Sequence, residues 1–154
     1  MIFNTQIESL IVNNDLIAAF QILFALLIAH ALFDYPLQGE FLAKYKNRHF
    51  KENGNEINGL WLHCLTSHSL LHAGGVWLIT GSFIIGVIEF VLHWIIDFLK
   101  CEGMTSFHTD QILHILCRIL YVIMIWIGWE YFLPFFNEST QIAAPIKNLS
   151  LIHI

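Results

Sequence analysis

The chain has 154 residues, of which 56% are hydrophobic and only 12% are charged, and its mean hydropathy is +0.63. This composition excludes an ordinary soluble domain and predicts an integral membrane protein. The net charge of −5 argues against nucleic acid as a partner. Cys64, Cys101 and Cys117 are too scattered for a CxxC motif, so we expect reduced cysteines.

Apolar runs predict four spanning helices, at 16–33, 60–80, 83–99 and 112–133. Each run is close to the roughly 20 helical residues that a bilayer core of about 30 Å requires. A shorter amphipathic helix at about 2–12 is expected to lie in the membrane interface. Residues 1–154 are therefore expected to form one all-α domain, an integral membrane four-helix bundle.

The segment between the first two spans carries Lys44, Lys46, Arg48 and Lys51. By the positive-inside rule this basic segment lies in the cytoplasm. Both termini are then expected on the opposite side, in the periplasm or outside the cell.

Every predicted span places histidine or aspartate in its cytoplasmic half. Ionisable groups at membrane depth are costly and usually functional. Residues four apart share a helical face, which groups them into rows. The residues are His30 and Asp34, His63 and His68, His93 and Asp97, and Asp110 and His114. His63 lies about 140° from His68 around the axis, so we expect it outside the regular helix or re-aimed by a π-bulge.

Imidazole and carboxylate together are typical ligands of divalent zinc, manganese and iron. The pattern therefore predicts a metal site, with zinc favoured over manganese or iron. The predicted ligands are His30, Asp34, His63, His68, His93, Asp97 and His114. An incompletely ligated ion produces a hydroxide nucleophile from water near neutral pH, which favours a hydrolase.

Three residues are assigned to catalysis in this hydrolase hypothesis. Asp110 and His68 act as further ligands or as the general base, and Lys100 orients an anionic group such as phosphate. Arg118 either assists Lys100 or snorkels to the headgroups. The expected partners are membrane lipid and a lipid or small-molecule substrate containing phosphate or an acyl group, and an oligomer stays open.

Two other functions remain open. The rows around His72, Glu89, His93 and Arg118 would also suit a proton or metal-ion transporter or channel. A non-catalytic phage or bacterial accessory module would use a full ligand set as a structural site. Each His and Asp pair could also simply hydrogen-bond within the bundle.

Four ordered motifs run from His30 to His114: AHALFDYPLQ with a following lysine, a His-rich second helix, HWIIDFLK and FHTDQILH. In these motifs the chain resembles an uncharacterised family of small bacterial and phage inner-membrane proteins. The resemblance implies a multi-pass protein of the bacterial inner membrane and adds Gln38, Lys44 and Gln111 to the polar positions. More distantly, the HxxxD helices look like membrane-bound metal-dependent hydrolases.

An HxxxD helix followed by a helix with an early histidine occurs twice along the chain. This repetition predicts two parallel helical hairpins, related by a pseudo-two-fold axis along the membrane normal. The site would lie on that axis.

Overall fold

The computed structural model describes residues 3–56 and 59–128, and these are almost entirely helical. The helices are α1 (Asn4–Asn13), α2 (Leu16–Asp34), α3 (Gly39–Tyr45), α4 (Leu60–Thr80), α5 (Phe83–Cys101) and α6 (Phe107–Trp126). Strands β1 (Lys51–Glu52) and β2 (Asn55–Glu56) pair antiparallel around Asn53 and Gly54. Both turn residues have positive φ, as a two-residue hairpin of type I′ requires. The predicted all-α class is confirmed for the described residues.

Polar side chains mark where the long helices begin. The Asp15 carboxylate accepts hydrogen bonds from first-turn N–H groups of α2, and the Ser82 and Ser106 hydroxyls do the same for α5 and α6. Gly81, with φ of 70°, ends α4 in the left-handed conformation. Because only Gly81 and Ser82 separate α4 from α5, these helices form a tight antiparallel hairpin.

The predicted spans match the helices closely, with one exception. The bounds of α4 are as predicted, and α2 and α5 each extend slightly beyond the predicted end. Helix α6 begins at Phe107 rather than at 112 because the Ser106 cap precedes the apolar run. The predicted end at 133 lies outside the described residues. The sequence did not predict α3 or the β1–β2 hairpin.

Helix α1 packs on the bundle through its apolar side. Leu10 is fully buried, and Phe3, Ile7 and Ile11 pack against the same core. This face contacts α2 and α6 instead of pointing outward as in a helix lying in the interface. Its position relative to a membrane stays a prediction.

The four long helices form a closed ring. Helix α2 packs against α4 and α6, and α5 packs against the same two helices, so α2 and α5 lie diagonally opposite. An apolar core fills the end of the ring beside α1. Its members are Leu10, Ala18, Ile22, Leu26, Val76, Ile79, Ile85, Tyr121, Val122 and Ile125. The other end of the ring holds the polar residues.

Helices α2 and α6 are long and apolar enough to cross a membrane. Helix α4 contains His63, His68 and His72, which lower its mean hydropathy, and α5 contains three charged residues, Glu89, Asp97 and Lys100. Length and composition therefore support two crossings among the described residues, where the apolar runs predicted four.

Candidate metal centre

Eight buried imidazole and carboxylate side chains converge at the polar end of the ring. They come from the C-terminal halves of α2 and α5, the N-terminal half of α6 and the first two thirds of α4, because neighbouring helices run in opposite directions. We call them the His/Asp cluster: His30, Asp34, His68, His72, His93, Asp97, Asp110 and His114. All eight side chains are at most 8% exposed.

Asp34 lies at the centre of a first group of possible ligands. Its Oδ1 is 3.3 Å from Nε2 of His68 and 3.2 Å from Nε2 of His72. The His93 ring stacks on that of His72, with ring centroids 3.7 Å apart. Ligand atoms of these four residues all lie within 4.8 Å of one another, a spacing that can hold a metal ion.

Asp97, Asp110 and His114 form a second such group. Nε2 of His114 is 3.8 Å from Oδ1 of Asp97 and 3.6 Å from Oδ1 of Asp110. A third group, His30, His93 and His114, overlaps the first two. The three groups are parts of one continuous cluster.

Several cluster atoms have no hydrogen-bond partner among residues 3–56 and 59–128, although they are buried. They are Oδ1 of Asp34 and Asp110, Nε2 of His93, and both ring nitrogens of His72 and His114. Buried polar atoms are nearly always hydrogen-bonded, so this group needs an explanation. Nitrogen and oxygen atoms that face one another without hydrogen-bond alignment can direct lone pairs at a common cation. The donor set therefore fits a divalent metal ion.

Two glutamines hold members of the cluster in place. Gln111 donates from Nε2 to Oδ2 of Asp34 at 2.8 Å, and Nε2 of His30 donates to Gln111 at 3.4 Å. The Gln38 amide lies 3.0 Å from Nε2 of His68. Gln38 reaches His68 through the turn that follows Asp34, since α2 does not continue past Pro36. Contacts of this kind orient ligand side chains.

Two lysines contact the cluster carboxylates. Lys46 Nζ lies 2.6 Å from Oδ2 of Asp97, and Lys100 Nζ lies 2.8 Å from Oδ2 of Asp110. Lys46 is only 6% exposed. The motif resemblance pointed to Lys44 instead, which is half-exposed and pairs with Glu40. No spacing in the sequence distinguishes these two lysines.

The chain beside Lys46 is anchored to the end of α5. Arg48 donates to Glu102, and His49 contacts the same carboxylate. The hydrogen bond from Arg48 lowers the pKa of Glu102 below its usual value. This anchor holds the basic segment against α5, where Lys46 reaches Asp97.

A buried ion pair lies deeper in the ring. Arg118 donates two hydrogen bonds to Glu89, and the Tyr121 hydroxyl donates to Glu89 at 2.7 Å. His93 Nδ1 lies 3.1 Å from Glu89, and Arg118 donates to Nδ1 of His30 at 3.3 Å. A bond from His93 Nδ1–H to Glu89 leaves the Nε2 lone pair facing the cluster. Arg118 is 1% exposed, so the snorkelling alternative is wrong.

The structure brings together every predicted ligand except His63. His63 lies in a regular α-helix and is exposed, so neither a π-bulge nor a helix end turns it inward. The ligand prediction for His63 is contradicted by this position. His68 and His72 share the inner face because they are four residues apart. Sequence reasoning placed His72 below the other residues, and it missed Lys46 and Tyr121.

The fold and the site together define the class of protein. It is a helical bundle with a buried His/Asp cluster that can hold a metal ion. Residues 22–142 match the family described as "Protein of unknown function (DUF3307)", and the chain belongs to this family. The predicted membership of an uncharacterised family is thereby confirmed. No curated protein and no solved structure matches the chain. The likeness to membrane hydrolases stays a prediction.

Proposed function

We propose that this protein is a multi-pass membrane protein whose His/Asp cluster binds divalent metal and hydrolyses a phosphate- or acyl-containing substrate. The convergence of buried, unpartnered imidazole and carboxylate atoms in the ring carries this proposal. Zinc is the proposed ion, with manganese or iron as alternatives, because all three accept this donor set.

The outer surface of the ring supports four crossings. Helices α4 and α5 turn most of their ionisable residues inward, with the exception of His63, and expose large apolar ones. These are Leu62, Leu70, Leu71, Trp77 and Leu78 on α4, and Phe83, Val87, Val91 and Ile95 on α5. An apolar exterior around ionisable groups is suited to lipid. The basic segment at the cluster end supports a position of the cluster near the cytoplasmic face of a bacterial inner membrane.

The surroundings of the cluster support hydrolysis. A divalent ion with an open position lowers the pKa of water and supplies a hydroxide nucleophile. Lys100 is 26% exposed, so its ammonium group can meet an anionic substrate from the cytoplasmic side. Asp110 and His68 are the candidate general bases that lie within the cluster.

The opposite end of the ring argues against a conducting path. Beyond Glu89, Arg118 and Tyr121, the buried side chains of the described helices are mostly apolar and include Ile22, Ile79 and Ile125. An ion leaving the cluster in that direction would meet no continuous polar route through them. The hydrolase is therefore favoured over the transporter or channel.

Metal analysis of the full-length protein tests the site. The wild type, purified in detergent without chelator, is expected to retain stoichiometric metal. His93→Ala and Asp97→Ala should each bind less metal than the wild type, whereas His63→Ala, a change of the exposed histidine on α4, should bind as much. Size-exclusion profiles check that each variant remains folded. Pure wild-type protein that never holds stoichiometric metal would overturn the proposal.

Hydrolysis is tested with the metal-loaded protein and a panel of aryl phosphates, aryl acyl esters and phospholipid vesicles. Turnover should require metal, stop with chelator and fall in Asp110→Asn. Metal binding without hydrolysis of any of these substrates would overturn the enzyme and leave the structural module.

A further inference from the structure

We infer that the His/Asp cluster holds two divalent ions, with Asp97 between them. The inference rests on the metal binding proposed above and extends it to the number of ions and the class of substrate. The first ion would be held by Asp34, His68, His72 and His93, and the second by Asp97, Asp110 and His114.

The two ligand groups share no residue. Each has ligand atoms within 4.8 Å of one another, the first from four side chains and the second from three. A tetrahedral ion such as zinc takes about four ligands, so seven converging side chains exceed the need of one zinc ion. The second group, with three protein ligands, also leaves a position open for water or substrate.

The Asp97 carboxylate faces both groups. Its Oδ2 lies 3.3 Å from Nε2 of His68 and 3.7 Å from Nε2 of His93, which belong to the first group. Its Oδ1 lies 3.8 Å from Nε2 of His114, in the second group. The two oxygens of one carboxylate thus point to different ligand groups, as in a bridging ligand.

The arrangement of the helices gives an independent reason for two ions. Helices α2 and α4 supply Asp34, His68 and His72 to the first group, while α5 and α6 supply the whole second group. The neighbouring helices α2 and α4 form one side of the ring, and α5 and α6 form the other. Each of these two pairs therefore builds most of one site. The two HxxxD segments that suggest an internal repeat thus contribute their aspartates to different ions.

His30 stands outside both groups. Its Nε2 is hydrogen-bonded to Gln111 and its Nδ1 to Arg118, so both ring nitrogens have partners. In this arrangement His30 positions its neighbours rather than binding an ion. This assignment differs from the sequence-based prediction, which made His30 a ligand.

Two ions favour phosphate esters over acyl esters as the substrate. A pair of divalent ions about 3.5–4 Å apart stabilises both the attacking and the leaving oxygen of an in-line displacement. Lys100, which contacts Asp110 and is 26% exposed, supplies positive charge that an anionic group can reach.

Manganese loading of the full-length protein counts the ions. Elemental analysis is expected to find two Mn²⁺ per wild-type chain, and electron paramagnetic resonance should show exchange coupling between them. Asp110→Asn should keep one ion, which also shows that the cluster remains folded. Asp97→Asn should lose the coupled signal, while His63→Ala, the matched change on α4, should keep two coupled ions.

The outcomes separate the two proposals. One ion per wild-type chain would overturn the two-ion arrangement and leave the metal site, whereas no ion would overturn both. Two ions without coupling would contradict the position of Asp97 between them. Metal-dependent release of phosphate from aryl phosphate supports the substrate class, and hydrolysis of acyl esters alone contradicts it.

Discussion

Glu89 and Arg118 are opposite charges buried in the middle of the helical ring, each 1% exposed. Two charges removed from solvent stabilise the fold only while they neutralise each other and keep their hydrogen bonds. Tyr121 and His93 also hydrogen-bond to the Glu89 carboxylate and so use its remaining acceptor positions. The pair therefore both stabilises the ring and orients a proposed ligand.

Glu89→Gln is expected to lower the free energy of unfolding by about 3–5 kcal/mol, because it leaves the Arg118 charge buried without a counter-charge. Unfolding in detergent, followed by circular dichroism, measures the change. The double variant Glu89→Leu with Arg118→Met removes both charges and should lose less stability than Glu89→Gln. An unchanged transition in Glu89→Gln would contradict the pairing.

Lys46 neutralises Asp97 as a bound cation would, so the lysine and a metal ion compete for that carboxylate. We expect Lys46→Met to be less stable than the wild type without metal and to gain more stability on metal addition, by linkage. Thermal unfolding with and without Zn²⁺ measures both effects. Lys44→Met alters a half-exposed lysine paired with Glu40 and should behave as the wild type does. An equal metal-induced shift in both variants would refute the competition.

The sequence indicated the core of the cluster because residues four apart share a helical face. His30 with Asp34 and His93 with Asp97 were found in this way, and the structure places all four in one interior. The contact of Lys46 with Asp97 was not predicted, because it depends on the path of the chain through α3 and on the anchor of Arg48 at Glu102. Helical periodicity carries no information on such a contact.

At the scale of the elements, the junction of α1 and α2 is organised by Asp15. One oxygen of this carboxylate accepts from Ile17 N–H at 2.9 Å, and the other accepts from the Ser9 hydroxyl at 2.9 Å. The Ser9 hydrogen bond is the main cause that lowers the pKa of Asp15. The ionised carboxylate is therefore the form that stabilises this junction.

The stability that Asp15 supplies is expected to depend on pH in a defined direction. Its folded-state pKa lies below the unfolded value of about 4, so its contribution is present above that pH and is lost as the pH falls through the folded pKa. The difference in melting temperature between the wild type and Asp15→Asn should shrink from pH 7 towards pH 3. Ser9→Ala should reduce the same difference. A difference that is constant over this range would contradict the role of the charge.

Helix boundaries could be predicted where apolar runs and caps coincide. Helix α4 lies between Gly59 and Gly81, and its bounds follow from the sequence. The start of helix α6 was predicted at 112 instead of Phe107. Its first helical turn contains the polar residues His108, Thr109 and Asp110, and the continuous apolar run begins only after them. The Ser106 cap was the available signal. Strands as short as β1 and β2 leave only Asn53 and Gly54 as an indication.

At the scale of the whole molecule, polar residues are inside the ring and apolar residues cover its outside. Length and composition add both faces of a helix together, so they identify α2 and α6 as possible spans and leave out α4, whose histidines lower its mean hydropathy, and α5, which has three charged residues. A two-crossing protein would leave the α4–α5 hairpin in the cytoplasm. A four-crossing protein would instead place the turn at Gly81 on the other side of the membrane.

Single cysteines distinguish these two topologies in intact cells, in a background where Cys64, Cys101 and Cys117 are replaced by alanine. Phe83→Cys, next to the α4–α5 turn, should react with a membrane-impermeant maleimide, because four crossings place it outside the cytoplasm. Asn53→Cys, in the basic segment, should react only after the cells are opened. Phe83 is 59% exposed and Asn53 is also exposed, so both sites should label in opened cells, which controls for accessibility. Protection of Phe83→Cys in intact cells, with labelling after opening, would show that α4 and α5 do not cross.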